Sequence, residues 1–132
     1  MIDAIRNKRW FCQKINSSGV GRTVGGDLDN FYFGYYHDRL IIWEAKHRNA
    51  IVDYNGPQAV FLKELVDNLI NLEVVLVWVE HDSSEDVVYL KDMKPIKCYY
   101  KPKGANKGEL RDFLQEVTPN QIANWADRNM QS

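Results

Sequence analysis

Leu40-Ile41-Ile42-Trp43-Glu44-Ala45-Lys46 is an apolar strand that ends in charge. Its run of large apolar residues fits a strand covered on both faces. Side chains alternate along a strand, so Glu44 and Lys46 share one face. Neither residue type is readily buried unless it is paired or bound, which marks the pair as a candidate site. Upstream, Asp29 to Tyr36 is a second strand, rich in aromatic residues, and His37 and Asp38 supply the tip of a hairpin between the two. A turn centred there sets Phe31 opposite Glu44 and Asp29 opposite Lys46, and directly opposed residues point to the same face. A slip of one residue would turn Asp29 to the other side.

Outward from this hairpin, Asn55-Gly56-Pro57 opens a helix, with proline in the first helical position. Phe61, Leu62, Leu65, Val66 and Leu69 recur at helical spacing to near Asn71. Glu73 to Glu80 is a central, buried strand. Asp86 to Leu90 and Ile96 to Tyr100 read as two more strands, and Lys101 to Gly108 as an exposed basic loop. A short helix is expected over Glu109 to Glu116. Thr118-Pro119-Asn120-Gln121 has the spacing of a capping box and opens a last helix through Asp127. At the other end, Ile2 to Ile15 is expected to be a helix capped by Asp3, followed by a short strand around Arg22 to Val24. The order of elements predicts an α/β fold, a mixed sheet flanked by helices.

The chain has 132 residues, 45% of them hydrophobic, which suits one domain with a real core. A formal net charge of −1 removes the strongly basic balance of many nucleic-acid binders, so any such binding must come from local patches. Cys12 and Cys98 have neither metal-ligand spacing nor a framework pattern and are read as reduced thiols. With no apolar leader and no bilayer-length apolar run, the expectation is a soluble, cytoplasmic protein without a membrane partner.

Two neighbouring carboxylates repel and call for a cation. Carboxylate oxygens completed by water are the preferred surroundings of Mg²⁺, and such an ion polarises phosphate and acidifies a bound water. Lys46 can orient that water or meet charge on the phosphate. This arrangement resembles the PD-(D/E)XK nuclease superfamily, in which an acidic residue at the start of one strand precedes Glu-X-Lys on the next. Asp29 and Glu44-Ala45-Lys46 occupy those places. The resemblance implies a restriction-endonuclease-like core, Mg²⁺ or Mn²⁺ held by Asp29, Glu44 and the carbonyl of Ala45, and a nucleophilic water placed by Lys46. Asp27 has the same strand parity and is the rival for the aspartate position. Leu28 stands where the nominal motif has proline. Many members carry a glutamine on the next helix, and Gln58 matches it in the first turn, in register with Leu62, Leu65 and Leu69. Glu44 to Leu65 is similar to the virus-type replication-repair nuclease and Holliday-junction resolvase branches. The first-helix glutamate of some members has no counterpart before Glu44.

Phosphate contacts are expected from Arg6, Lys8 and Arg9, from His47 and Arg48 after the active strand, and from Lys101 and Lys103. Lys94, Lys97 and Lys107 belong to the same basic stretch, interleaved with Tyr99 and Tyr100, which suit stacking. Each cluster reads equally as a solvated face. His37, His47 and His81 lack the compact spacing of a zinc site. The resulting expectation is a metal-dependent DNA endonuclease, selective for branched structures and acting as a homodimer to make two cuts. The alternative is an inactive nuclease-fold module that binds nucleic acid or a host protein.

Overall fold

The computed structural model describes residues 4–6, 30–34, 37–84 and 87–127. Their elements run β1 (Ala4–Arg6), β2 (Asn30–Gly34), β3 (Arg39–His47), α1 (Pro57–Asn68), β4 (Glu73–His81), β5 (Val87–Tyr89), a 3₁₀ turn (Leu90–Asp92), β6 (Lys94–Lys101), β7 (Glu109–Arg111) and α2 (Pro119–Asp127). Five strands form one mixed sheet in the order β2-β3-β4-β6-β7, and β1 pairs with β5 in a separate ribbon. Only β3 and β4 are parallel among the described pairs. A parallel pair needs a crossover, and α1 is that crossover.

Both faces of the β3–β4 pair are covered, which is why both strands read as unbroken apolar runs. Ile42, Val74, Leu76 and Trp78 pack with Ala59, Leu62 and Val66 of α1 and with Tyr99. Ile41, Trp43, Val75, Val77 and Val79 pack on the opposite face with Ala126 of α2, Leu90 and Met93. Gly56 caps α1 and Pro57 starts it, as the sequence predicts, and the helix ends at Asn68, slightly earlier than expected. The capping box of α2 closes in both directions: Gln121 N–H donates to Thr118 Oγ1 at 3.2 Å and Thr118 N–H donates to Gln121 Oε1 at 2.9 Å. None of the described helices is long and apolar enough to cross a membrane.

At the start of β3, a polar network ties α2 to the sheet. Arg39, nearly buried, donates to Glu73 Oε1 at 2.9 Å and to the carbonyl of Trp125 at 2.7 Å, with its guanidinium over the Trp125 ring. Tyr100 donates its hydroxyl to the other oxygen of Glu73. Burial, then that hydrogen bond, pushes the Tyr100 phenol up to about 12.

Several expectations are corrected. Residues 4–6 lie in a strand, not a helix, because Ala4–Arg6 ladders against Val87–Tyr89, and such non-local pairing outweighs local helical periodicity. The rest of the expected opening helix and the strand near Arg22 lie outside the described residues. Glu109 to Glu116 is not a helix: residues 109–111 pair with β6, and the segment has too thin an apolar face to hold a short helix. In the hairpin, Phe31 faces Ile42 rather than Glu44, two residues from the expected register. Parity is kept, so the faces are as expected. The turn residues His37 and Asp38 are as placed from sequence, with Asp38 at φ 53°.

Lys101 is not in an exposed loop. It is 0% exposed, and its ammonium donates to the carbonyls of Leu72, Pro102 and Ala105 at 2.8, 3.0 and 3.1 Å. Burial pulls its pKa down. Lys101→Met leaves those carbonyls unpaired and is expected to cost about 2 kcal/mol or more in chemical denaturation. Gly34 is a second pressure point, since a Cβ there would lie 2.2 Å from the Ala126 carbonyl oxygen. Gly34→Ala should force α2 off the sheet and lower stability by about 1–3 kcal/mol, read from the denaturation midpoint.

Candidate functional site

Glu44 lies on the α1 face of β3, one residue beyond Trp43 and beside Trp78 in the parallel register. It is 1% exposed. A carboxylate so deep needs compensation, and its neighbours supply it. Gln58, in the first turn of α1, donates Nε2–H to Glu44 Oε1 at 2.9 Å. Lys46 Nζ lies 3.3 Å from the same oxygen and donates to Gln58 Oε1 at 3.2 Å. The three side chains thus close a ring. The Lys46 side chain is 23% exposed, so the ring has a dry carboxylate end and an ammonium end open to solvent.

Two features of the fold bring these groups together. Period two puts Glu44 and Lys46 on one face. The crossover then lays the first turn of α1 over that face. Gly56 at the N-cap has no side chain to bond the first-turn amides, and no acidic residue follows it, so the positive end of the helix dipole is uncompensated there.

The ring borders a cleft of about 220 Å³ lined by Glu44, Lys46, Asp53, Gln58 and Ile51, with Trp78 and Leu62 among its apolar walls. It opens where β3 and β4 end, the position at which open α/β sheets usually bind ligands. Trp78 is fixed from the side by Tyr54, edge to face at 4.9 Å, and Lys97 lies 5.0 Å from the Tyr54 ring centroid.

The connection from β3 to α1 is held by backbone bonds. Arg48 N–H donates to the His81 carbonyl at 2.6 Å, and Ala50 N–H to the His47 carbonyl at 2.8 Å. Asp53 receives Asn55 N–H on Oδ1 at 3.0 Å and Gly56 N–H on its carbonyl at 3.1 Å. Asp53 is a cleft carboxylate that sequence reasoning missed. Its signal was the turn Asp53-Tyr54-Asn55-Gly56 leading into Pro57, where Asp bonds the backbone two residues on.

Of the expected site residues, Glu44, Lys46 and Gln58 come together. Ala45 sits between the two charged residues, half-buried on the opposite face, where it packs against the α2-side core. Asp27 and Asp29 lie outside the described residues, as do Lys8 and Arg9. Arg6 is in β1. His47 and Arg48 follow the cluster directly, half-buried and exposed respectively. Lys101 is corrected out of any phosphate-binding role by its complete burial. Lys103 is exposed but pairs with Asp38 at 2.8 Å, at the start of β3 and roughly 20 Å along the strand from Glu44. It therefore does not share a surface with the ring, whereas Lys97, beside Tyr54, does lie near the cleft.

His47 and His81 face each other across the β3–β4 ladder with ring centroids 5.4 Å apart. Each accepts a backbone N–H on Nδ1, from Asn49 at 3.1 Å and from Ser83 at 3.2 Å, which in the neutral rings puts the proton on Nε2. Among the described residues, no group of three or more His, Cys, Asp or Glu side chains is arranged to hold a metal ion.

Burial, then the neighbouring His47, pulls the His81 pKa below its ordinary 6.5. The unfolded chain therefore takes up this proton first as pH falls. The neutral ring's contribution is complete above 6.5 and is lost as pH drops through 6.5 toward the folded value. Thermal melts from about pH 7.5 to about 5.5 should show a falling Tm. His81→Asn, which keeps an acceptor for Ser83, should flatten that fall.

A scan of the chain against protein-family models, a search of curated proteins and a search of solved structures each found no match.

Proposed function

We propose that this protein is a metal-dependent nuclease with a restriction-endonuclease-like core, hydrolysing phosphodiester bonds in DNA at the cleft beside Glu44, Lys46 and Gln58. The observation that carries the proposal is the hydrogen-bonded ring of these three side chains. A strand carboxylate, a lysine two residues on and a glutamine from the next helix meet at the open end of a parallel strand pair.

The donor chemistry fits Mg²⁺ or Mn²⁺. Glu44 and Asp53 offer hard carboxylate oxygens on one cleft. The partner acid of the proposal is Asp29, with Asp27 as its rival. Asp29 directly precedes Asn30, and Asn30 pairs with Trp43, the residue directly before Glu44. The Ala45 carbonyl is the remaining candidate ligand. A divalent ion in such a site supplies charge neutralisation at phosphate and a lowered pKa for water.

The chain's own groups do the rest. Glu44 fixes the position of Gln58, and Gln58 fixes the Lys46 ammonium at the solvent-facing end of the ring. From there Lys46 donates a hydrogen bond to the attacking water and faces the charge that builds on the phosphate. Trp78 and Leu62 exclude bulk water from one wall, which strengthens both interactions. A cleft of this size admits one phosphate and its neighbours, not a base-reading surface, so selectivity would come from the shape of the DNA.

The second reading is a non-catalytic module of the same fold that binds nucleic acid or a host protein. The observation favouring it is that Glu44 and Lys46 neutralise each other within the ring.

A cleavage panel separates the two. Duplex, single-stranded, flapped and four-way junction DNA are incubated with Mg²⁺ or Mn²⁺. Glu44→Gln and Lys46→Ala should each lower the rate roughly a hundredfold or more at a temperature where circular dichroism shows the variant still folded. Gln58→Ala, which acts through Lys46 and Glu44, should lose about tenfold to a hundredfold. Cutting that survives in Lys46→Ala would refute the proposal.

A further inference from the structure

Ile51 is 96% exposed, yet it stands at the rim of the cleft that Glu44 and Lys46 line. The turn that carries it is tied down on both sides. Arg48 and Ala50 donate backbone bonds to the carbonyls of His81 and His47, and Asn49 donates to the His47 ring. Beyond it, Asp53 receives the amides of Asn55 and Gly56. Ile51 is therefore an aliphatic group presented between two hydrogen-bonded turns. Being β-branched, it has few rotamers to lose when it makes contact. Exposed Arg48 and Asn49 precede it in the same turn and suit phosphate or sugar contacts.

An aliphatic side chain gains by meeting apolar surface. In DNA that surface is the face of a base. Stacking covers it along a continuous duplex, and a branch, flap or mismatch uncovers it. Aliphatic wedges inserted at such steps are an established way for a protein to hold distorted DNA.

We infer that Ile51 is a specificity-determining wedge that enters an interrupted base stack beside the phosphate held in the cleft. The inference rests on the nuclease reading above and adds to it a residue that selects the substrate. Continuous duplex would have to be unstacked to accept Ile51, whereas at a branch the stack is already interrupted and opens at lower cost.

The 132-residue chain tests this with Ca²⁺ in place of Mg²⁺ to hold back cleavage. It is titrated with a four-way junction carrying 2-aminopurine beside the branch, and with the matching linear duplex. Wild type should bind the junction more tightly and raise its fluorescence as the base unstacks. Ile51→Ser should abolish the rise and reduce the ratio of junction to duplex affinity roughly tenfold. Ile51→Leu should keep both. Lys46→Ala should lose cleavage in Mg²⁺ but retain the fluorescence rise, which separates wedge from chemistry. An unchanged affinity ratio in Ile51→Ser overturns the wedge and leaves the nuclease reading standing. Wild-type protein that neither binds nor cuts either DNA overturns both.

Discussion

The parallel pairing of β3 with β4 is the constraint on which the rest of the architecture depends. Two strands running the same way cannot be joined by a tight turn, so the chain must leave the sheet and return. It returns through α1, and this covers one face of both strands. The opposite face is then filled by α2 and the 3₁₀ turn. The same detour has a chemical result. It brings the first turn of α1 to the carboxyl end of β3, and so sets Gln58 against Glu44 and Lys46.

The two ends of the β3–β4 pair treat buried charge differently. At the amino end, Arg39 and Glu73 are saturated by Trp125, Tyr100 and each other, and they serve to fix α2 on the sheet. At the carboxyl end, Glu44 is deeper than either, its counter-ion Lys46 reaches solvent, and both line a cleft. The first pair is spent on contacts within the fold and the second borders a cleft, and each keeps one partly exposed member. Lys101 belongs to the first kind. Its ammonium gathers three carbonyls where the chain turns between α1 and β4 and after β6, and it is unavailable to any ligand.

Legibility in the sequence followed the range of the interactions involved. The face shared by Glu44 and Lys46, the start of α1 and the capping box of α2 are set by residues only a few positions apart, and each was readable. Gln58 was readable because helical spacing placed it in line with Leu62 and Leu65. The register of β2 against β3 depends on the length of the turn, and it shifted by two residues while keeping parity. Non-local pairing was hidden. Ala4–Arg6 and Glu109–Arg111 are strands because of partners elsewhere in the chain. Lys101 sits in Lys-Pro-Lys-Gly, which has the composition of a solvated loop, and only the fold reveals the carbonyls around it. Asp53 carries the ordinary signature of a turn, and its place on the cleft follows from the path of the whole crossover.

The described walls of the cleft are encoded by one stretch of chain. Glu44, Lys46, Ile51, Asp53, Gln58, Leu62 and Trp78 all fall within the unbroken tract from Arg39 to His81. Among the described residues, nothing that lines it comes from a distant part of the polypeptide, so the entropy of bringing those walls together is that of closing one moderate loop. Those walls are encoded by a single segment of gene, while the packing that supports them from outside it comes from Tyr99, Leu90, Met93 and Ala126.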